Sequence, residues 1–213
     1  MNSRDEGQRI LEILSRIKGI GTTNYISKDG ITVVLDSHGA KVLLLEHTGR
    51  NVLYYDPRDI SHSGIPLCFP NFGPLKNGKL VVNGKHFNMG QHGFIRDRNF
   101  EVKHKSADSI TYILKSGITS LAVFPFEFEF TAKYSIIKNG IAIELIMENN
   151  SQNIMTIAPG VHPYFAVDNP GEIFLNTKAD RGNNNSDGYK EMKLEESGVF
   201  RIINCDKEGL KTL

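Results

Sequence analysis

Proton transfer near neutral pH calls for imidazole, because histidine is the side chain whose unperturbed pKa lies closest to neutrality. The chain carries 7 histidines in 213 residues, and two of them sit in segments built to hold a side chain in place. His92 lies in Gln91-His92-Gly93-Phe94-Ile95-Arg96-Asp97, where a glycine lets the backbone bend beside the ring and an arginine and an aspartate follow. His162 lies in Pro159-Gly160-Val161-His162-Pro163-Tyr164-Phe165, where two prolines and a glycine stiffen the approach and an aromatic pair can pack beneath. Spacing alone leaves two readings open for each: a general acid or base, or a structural side chain. In the second reading His92 is a turn residue bonded to backbone, and His162 is partly buried beside a rigid proline turn.

Other chemistries find less support. His86, His92 and His162 would have to converge to hold a metal ion, yet the HxH, HExxH and CxxC spacings are missing, so no metal is expected. The G-x-S-x-G elbow of a Ser-His-Asp hydrolase is absent, as are the dinucleotide-binding glycine fingerprint and a P-loop. Cys68 and Cys205 fit neither a disulfide framework nor a zinc spacing and are read as isolated thiols of a reducing compartment. Lysine and arginine number 25 against 24 acidic residues, a net charge of +1, which lacks the basic footprint of a nucleic-acid binder. Arg4, Asp5, Glu6, Arg9, Glu12, Arg16 and Lys18 interrupt the N-terminal stretch, leaving no signal-peptide core, and no apolar run reaches the roughly 18 residues of a membrane span. A cytoplasmic protein with neither nucleic-acid nor membrane partners is expected.

The candidate residues need a scaffold, and the hydrophobic pattern supplies one. Ile10, Leu11, Ile13, Leu14 and Ile17 recur at helical spacing before Gly19, predicting one N-terminal helix. Beyond Gly21 the period changes to short β-branched or leucine-rich runs: 31–35, 40–46, 51–55, 79–82, 100–105, 109–116, 126–137, 141–148, 154–157, 172–177 and 199–203. Asn83-Gly84 and Asn139-Gly140 supply residues of the kind that type I′ hairpin turns require. Phe124, Phe126, Phe128 and Phe130 alternate with Glu127 and Glu129, predicting an aromatic core face and an acidic outer one. The polar stretch 181–188 reads as a loop. Many strands with almost no intervening helix predict an all-β antiparallel sandwich in a single domain.

The segment Gly64-Ile65-Pro66-Leu67-Cys68-Phe69-Pro70-Asn71-Phe72-Gly73-Pro74-Leu75, followed by QHGFIRD at 91–97 and GVHPYF at 160–165, resembles in order and spacing the aldose 1-epimerase (galactose mutarotase) superfamily. Ser37 to Pro57 resembles the opening strands of that family and Pro125 to Asn150 its central hairpin, so the likeness runs from about Ile31 to Val167. The resemblance implies an antiparallel β-supersandwich over residues 21–213; the helical extension over 1–20 lies outside the shared pattern. It implies no cofactor and a small-molecule partner, a hexose or hexose 6-phosphate, whose α and β anomers are interconverted. By the same resemblance His162 is the general acid toward the ring oxygen, His92 holds and polarises the sugar, and Arg96 and Gln91 are substrate contacts. The family's glutamate base belongs to a late strand that nothing up to Leu213 resembles, so the sandwich is expected to be incomplete at its C-terminal end and the base is carried to no residue. Relatives acting on hexose 6-phosphates have an arginine before the G-I-P segment, where His62-Ser63 stands, and relatives acting on free sugars often have one where Pro74 stands; the substrate class stays open. Phe69 and Asn71 replace the family's tryptophans, which removes strong stacking side chains. A non-catalytic carbohydrate-binding sandwich, or an inactive shortened family member, is the alternative.

Overall fold

The computed structural model describes the backbone from residue 3, the side chains of residues 7–167, and the backbone of four short strands at 174–176, 181–184, 190–193 and 199–201. Helix α1 (Ser3–Arg16) opens the chain. Strands β1 (Thr23–Lys28), β2 (Ile31–Asp36), β3 (Lys41–His47) and β4 (Arg50–Asn51) form one antiparallel sheet in sequence order. The short strand β5 (Leu67–Cys68) and the hairpin β6 (Lys79–Val82) with β7 (Lys85–Asn88) follow. Strands β8 (Glu101–Lys105), β9 (Ser109–Lys115), β10 (Phe128–Ile137) and β11 (Gly140–Asn149) make the second antiparallel sheet, with the short helix α2 (Ile118–Leu121) between β9 and β10. Strand β12 (Gly160–Val161) returns to pair antiparallel with β5. Among the described residues no helix is long and apolar enough to cross a membrane.

The expected all-β antiparallel architecture is present, and its core lies between the two sheets. Ile31, Val33 and Leu35 of β2 meet Phe128, Phe130, Ala132 and Tyr134 of β10 in one cluster with Phe69, Phe94 and Phe124. Phe69 is fully buried, and its ring centroid lies 6.2, 5.4, 5.2 and 5.2 Å from those of Phe94, Phe124, Phe128 and Phe130. These separations fall in the tilted and edge-on range that aromatic quadrupoles favour. Tyr134 Oη donates across the layers to the Ala40 carbonyl.

Every residue of β2 is buried, unlike a strand with one solvated face. The reason is α1 and the residue just beyond it: Ile13 of the helix and Ile17 after it pack on the outer face of the first sheet against Val34, Leu43 and Leu44. A register shift in the β2–β3 ladder leaves Leu43 unpaired between Val42 and Leu44, and such a bulge allows consecutive leucines to face the same helix. The helical stripe therefore works as expected except at Leu11, which is 69% exposed. Buried Asp36 fastens the chain after α1, accepting backbone N–H groups of Ile20 at 2.6 Å, Gly21 at 2.9 Å and His38 at 3.0 Å.

Several expectations need correction. Strand β1 falls where none was expected, since Thr23–Lys28 has no clean alternation; its pairing with β2 supplies what its own pattern lacks. The run 154–157 forms no strand, and only Arg50–Asn51 and the bridge at Leu53 represent the expected strand 51–55. All four phenylalanines are core residues, but β10 starts at Phe128, and Phe124 and Phe126 belong to a turn about Pro125 in which Phe126 N–H bonds the Phe124 carbonyl at 2.8 Å. Asn83 and Gly84 adopt φ of 50° and 74°, as a type I′ hairpin needs. The β10–β11 hairpin forms where expected, but Ile137 pairs with Gly140 across Lys138-Asn139, and none of these takes a positive φ. Arg181–Asn184, read as loop, pairs as a strand with Lys190–Lys193. Of the two latest strand expectations, 174–176 and 199–201 pair with each other, and their remaining residues lie outside the described ones.

Truncating Phe69 to Ala removes the ring on which four others lean. The expected loss is about 3–5 kcal/mol of unfolding free energy, read as a lower urea midpoint at unchanged slope.

Candidate active site

Residues 64–73 form the thread on which the site is strung. His162 N–H bonds the Pro66 carbonyl at 2.9 Å and Tyr164 N–H the Gly64 carbonyl at 2.8 Å, extending the β5–β12 pairing. On the far side of that strand, Tyr54 N–H reaches the Tyr164 carbonyl at 2.8 Å. Ala158 N–H bonds the Pro70 carbonyl at 2.7 Å, and Phe94 N–H bonds the Phe69 carbonyl at 2.9 Å. Two separate loops, 90–94 and 158–164, thus reach the same strand, which brings His92 and His162 together.

The turn at His92 is unusual. Gly93 N–H bonds the Gly90 carbonyl at 3.1 Å, and the residue between Gln91 and Gly93 has φ of 67° although it is not glycine. Left-handed backbone at a non-glycine residue is uncommon and is retained where the surroundings impose it. Here the surroundings are bonds in both directions: His92 N–H reaches the Gly73 carbonyl at 3.2 Å, and Gly73 N–H donates to His92 Nδ1 at 3.1 Å. A nitrogen that accepts from an amide cannot carry a proton in the neutral ring, so Nε2 holds it. His92 therefore offers an N–H donor at Nε2.

The rings of His92 and His162 lie 4.9 Å apart between centroids at 77°. His162 and Tyr164 alternate on one strand, share a face, and stack at 4.9 Å and 30°. Phe72 flanks the other side, 6.0 Å from His162 at 30° and 5.4 Å from His92. It lies so close over Gly160 that a Cβ there would come within 2.6 Å of its ring. Both histidines are buried, at 9% and 6% exposure. Nδ1 of His162 is buried and has no hydrogen-bond partner among the described residues.

Electrostatics follow from burial and one cation. Burial first, then the positive charges of Arg96 and a neighbouring imidazole, push His92 down to about 4. Burial is also the main reason that His162 lies below the ordinary imidazole range, with Arg96 adding to it. Arg96 is half-buried, and its Nη2 donates to Cys68 Sγ at 3.7 Å. Nearby Lys41, 5% exposed, is pushed down to about 8 by burial and by Arg96.

Of the residues singled out from sequence, His92, His162 and Arg96 are brought together, while Gln91 is exposed beside them. His86 is an exposed residue of β7, and among the described residues no group of three His, Cys, Asp or Glu is placed to hold a metal ion. Cys68 is a free, buried thiol; Cys205 lies outside the described residues. Phe72 and Lys41 escaped the sequence reading. Only the aromatic pair after His162 gave a signal, and half of it was informative: Tyr164 stacks on His162, whereas Phe165 is on the alternate face and bridges to Leu53.

The close approach of the loops makes two predictions. A Cβ on Gly93, where φ is 76°, would meet the Phe69 carbonyl oxygen at 1.8 Å, so Gly93→Ala should destabilise the fold by well over 1 kcal/mol and broaden the His92 imidazole signals. The depressed His92 pKa makes the unfolded chain bind the extra proton first. Stability from this group is then fully present above about pH 6.5 and is lost as pH falls toward about 4. Urea unfolding across that window should show a steeper loss for the wild type than for His92→Asn.

A family model described as aldose 1-epimerase matches residues 25–187. No curated protein matches the chain. Among solved structures, a galactose mutarotase related enzyme from Lactobacillus acidophilus superposes with a TM-score of 0.74 at 25% identity, over 85% of this chain and 65% of that one. A galactose mutarotase-like protein from Lactobacillus casei gives 0.71 at 19% identity, over 85% and 67%. A galactose 1-epimerase from Lactobacillus acidophilus gives 0.54 at 14% identity, over 90% and 66%. The chain thus spans about two thirds of the length of the structures it matches. With a family model covering most of its residues, including both histidine segments, and the sandwich of its structural relatives, the chain belongs to the aldose 1-epimerase family.

Proposed function

We propose that the chain interconverts the α and β anomers of a hexose or hexose 6-phosphate by acid–base ring opening. The observation that supports this best is the pair of buried imidazoles in ring contact, His92 and His162. His162 Nδ1 is a buried polar atom with no hydrogen-bond partner among the described residues, and an unpaired buried polar group calls for an explanation. One ring away, His92 is locked as an Nε2–H donor.

In the proposed step the anomeric hydroxyl loses its proton to a base while His162 delivers one to the ring oxygen. The C1–O5 bond breaks, C1 becomes an aldehyde, the C1–C2 bond rotates, and closure on the other face reverses both transfers. Paired transfers suit the reaction because one proton must arrive as the other leaves, and each positioned group is worth about 10² to 10⁴ in rate. His92 keeps its proton and polarises the sugar through Nε2–H, a role that a pKa of about 4 favours by holding the ring neutral across the physiological range. Arg96 sets the local positive potential beside both rings. The carboxylate base that the family resemblance implies is assigned to none of the described residues.

Proton NMR exchange or polarimetry on freshly dissolved α-glucose and α-glucose 6-phosphate tests this. The protein should accelerate equilibration of at least one sugar, and His162→Ala should cut that acceleration by about 10² to 10⁴ with near-UV circular dichroism unchanged. Saturable sugar binding without any acceleration would sink the reading in favour of a carbohydrate-binding sandwich.

A further inference from the structure

Asn71 is a buried amide on the thread 64–73, between Pro70 and Phe72. Its Nδ2 donates to the Gly73 carbonyl at 2.7 Å and to the Gly90 carbonyl at 3.2 Å. Both acceptors are carbonyls, so the nitrogen must face them; a flipped amide would set oxygen against oxygen and lose both bonds. Oδ1 is then left with no hydrogen-bond partner among the described residues.

The two carbonyls belong to the two residues that hold His92. Gly73 accepts the His92 amide at 3.2 Å and donates its own N–H to His92 Nδ1 at 3.1 Å. Gly90 accepts the Gly93 amide at 3.1 Å, closing the turn in which His92 takes its φ of 67°. Packing does not restrain the first of these positions, since a Cβ on Gly73 would find nothing within 4 Å. One NH2 group thus ties the loop that sets the His92 tautomer to the turn that sets its backbone. Burying an amide with its oxygen unpaired costs stability that an apolar side chain of the same size would not lose. The donor pair is what such a side chain could not supply.

Resting on the reading that His92 acts on a bound hexose, we propose that Asn71 is the positioning residue for His92: its two side-chain N–H groups clamp Gly73 and Gly90 so that Nδ1 is held as an acceptor and Nε2 as a donor.

Asn71→Leu keeps the volume and removes both donors. Long-range proton–nitrogen NMR of the imidazoles should show His92 as a single Nε2–H tautomer in the wild type and as a mixture of tautomers in Asn71→Leu and Asn71→Ala. Phe100→Leu, at a core ring that packs on Phe130, should weaken the fold and leave the His92 pattern unmoved. Asn71→Gln, with the same donors on a longer arm, should recover part of the wild-type pattern. In turnover, Asn71→Leu should lose about ten- to a hundredfold, mainly in kcat. In the wild type alone, both side-chain amide protons of Asn71 should exchange slowly with solvent. A folded Asn71→Leu with the His92 pattern unchanged, or wild-type Asn71 amide protons that exchange as fast as those of exposed asparagines, would overturn the proposal. A tautomer mixture in Asn71→Leu, beside a wild type that accelerates no anomer exchange, would uphold the clamp and reject the catalytic reading of His92.

Discussion

The Phe69 carbonyl oxygen occupies the space where a side chain on residue 93 would begin. Only glycine permits that approach, and the rest of the site depends on it. The same carbonyl accepts the Phe94 amide, the turn before it holds His92 in a left-handed conformation, and Gly73 closes the circuit by donating to the imidazole. The Phe69 side chain meanwhile is the centre of the aromatic core. Residue 69 therefore joins the hydrophobic interior to the polar site through two parts of one amino acid, and rigidity passes from the packed rings to the imidazole through a single peptide unit.

Burial and charge act on the two histidines in the same direction. Each is removed from water, and each is pushed below the ordinary imidazole range by burial, with the charge of Arg96 adding to it. Sandwiching His162 between Phe72 and Tyr164 fixes its plane without occupying its Nδ1.

How much of this was legible in the sequence depended on the range of the cause. Local signals were legible: the helical stripe, the Asn83-Gly84 turn and the buried phenylalanines; the two histidines set among glycines and prolines stood out locally, and the fold brings their rings together. The buried Lys41 was invisible, because a lysine at the start of a strand reads as solvated; its Nζ bonds the Ile60 carbonyl and feels the charge of Arg96, both later in the chain. Phe72 looked like one more apolar residue because its position relative to His162 requires β5 to pair with a segment about ninety residues later. Strand β1 lacked alternation because a partner strand, not its own pattern, defines it. The family resemblance identified the roles to look for, while the fixed proton on His92 Nε2 became visible only once the Gly73 amide was in place.

His162 and Tyr164 continue the line of β12 beyond Val161. Side chains along it alternate, so that Val161 packs toward the core while His162 and Tyr164 share the site face. Its position rests on the amides of His162 and Tyr164 meeting the carbonyls of Pro66 and Gly64. A slip of one residue would exchange the whole set, turning Val161 and Pro163 toward the site face and the rings of His162 and Tyr164 toward the core. The site is therefore digital with respect to register: it exists in one alignment of two short strands and in no neighbouring one, and intermediate displacements have no half-formed version of it to offer.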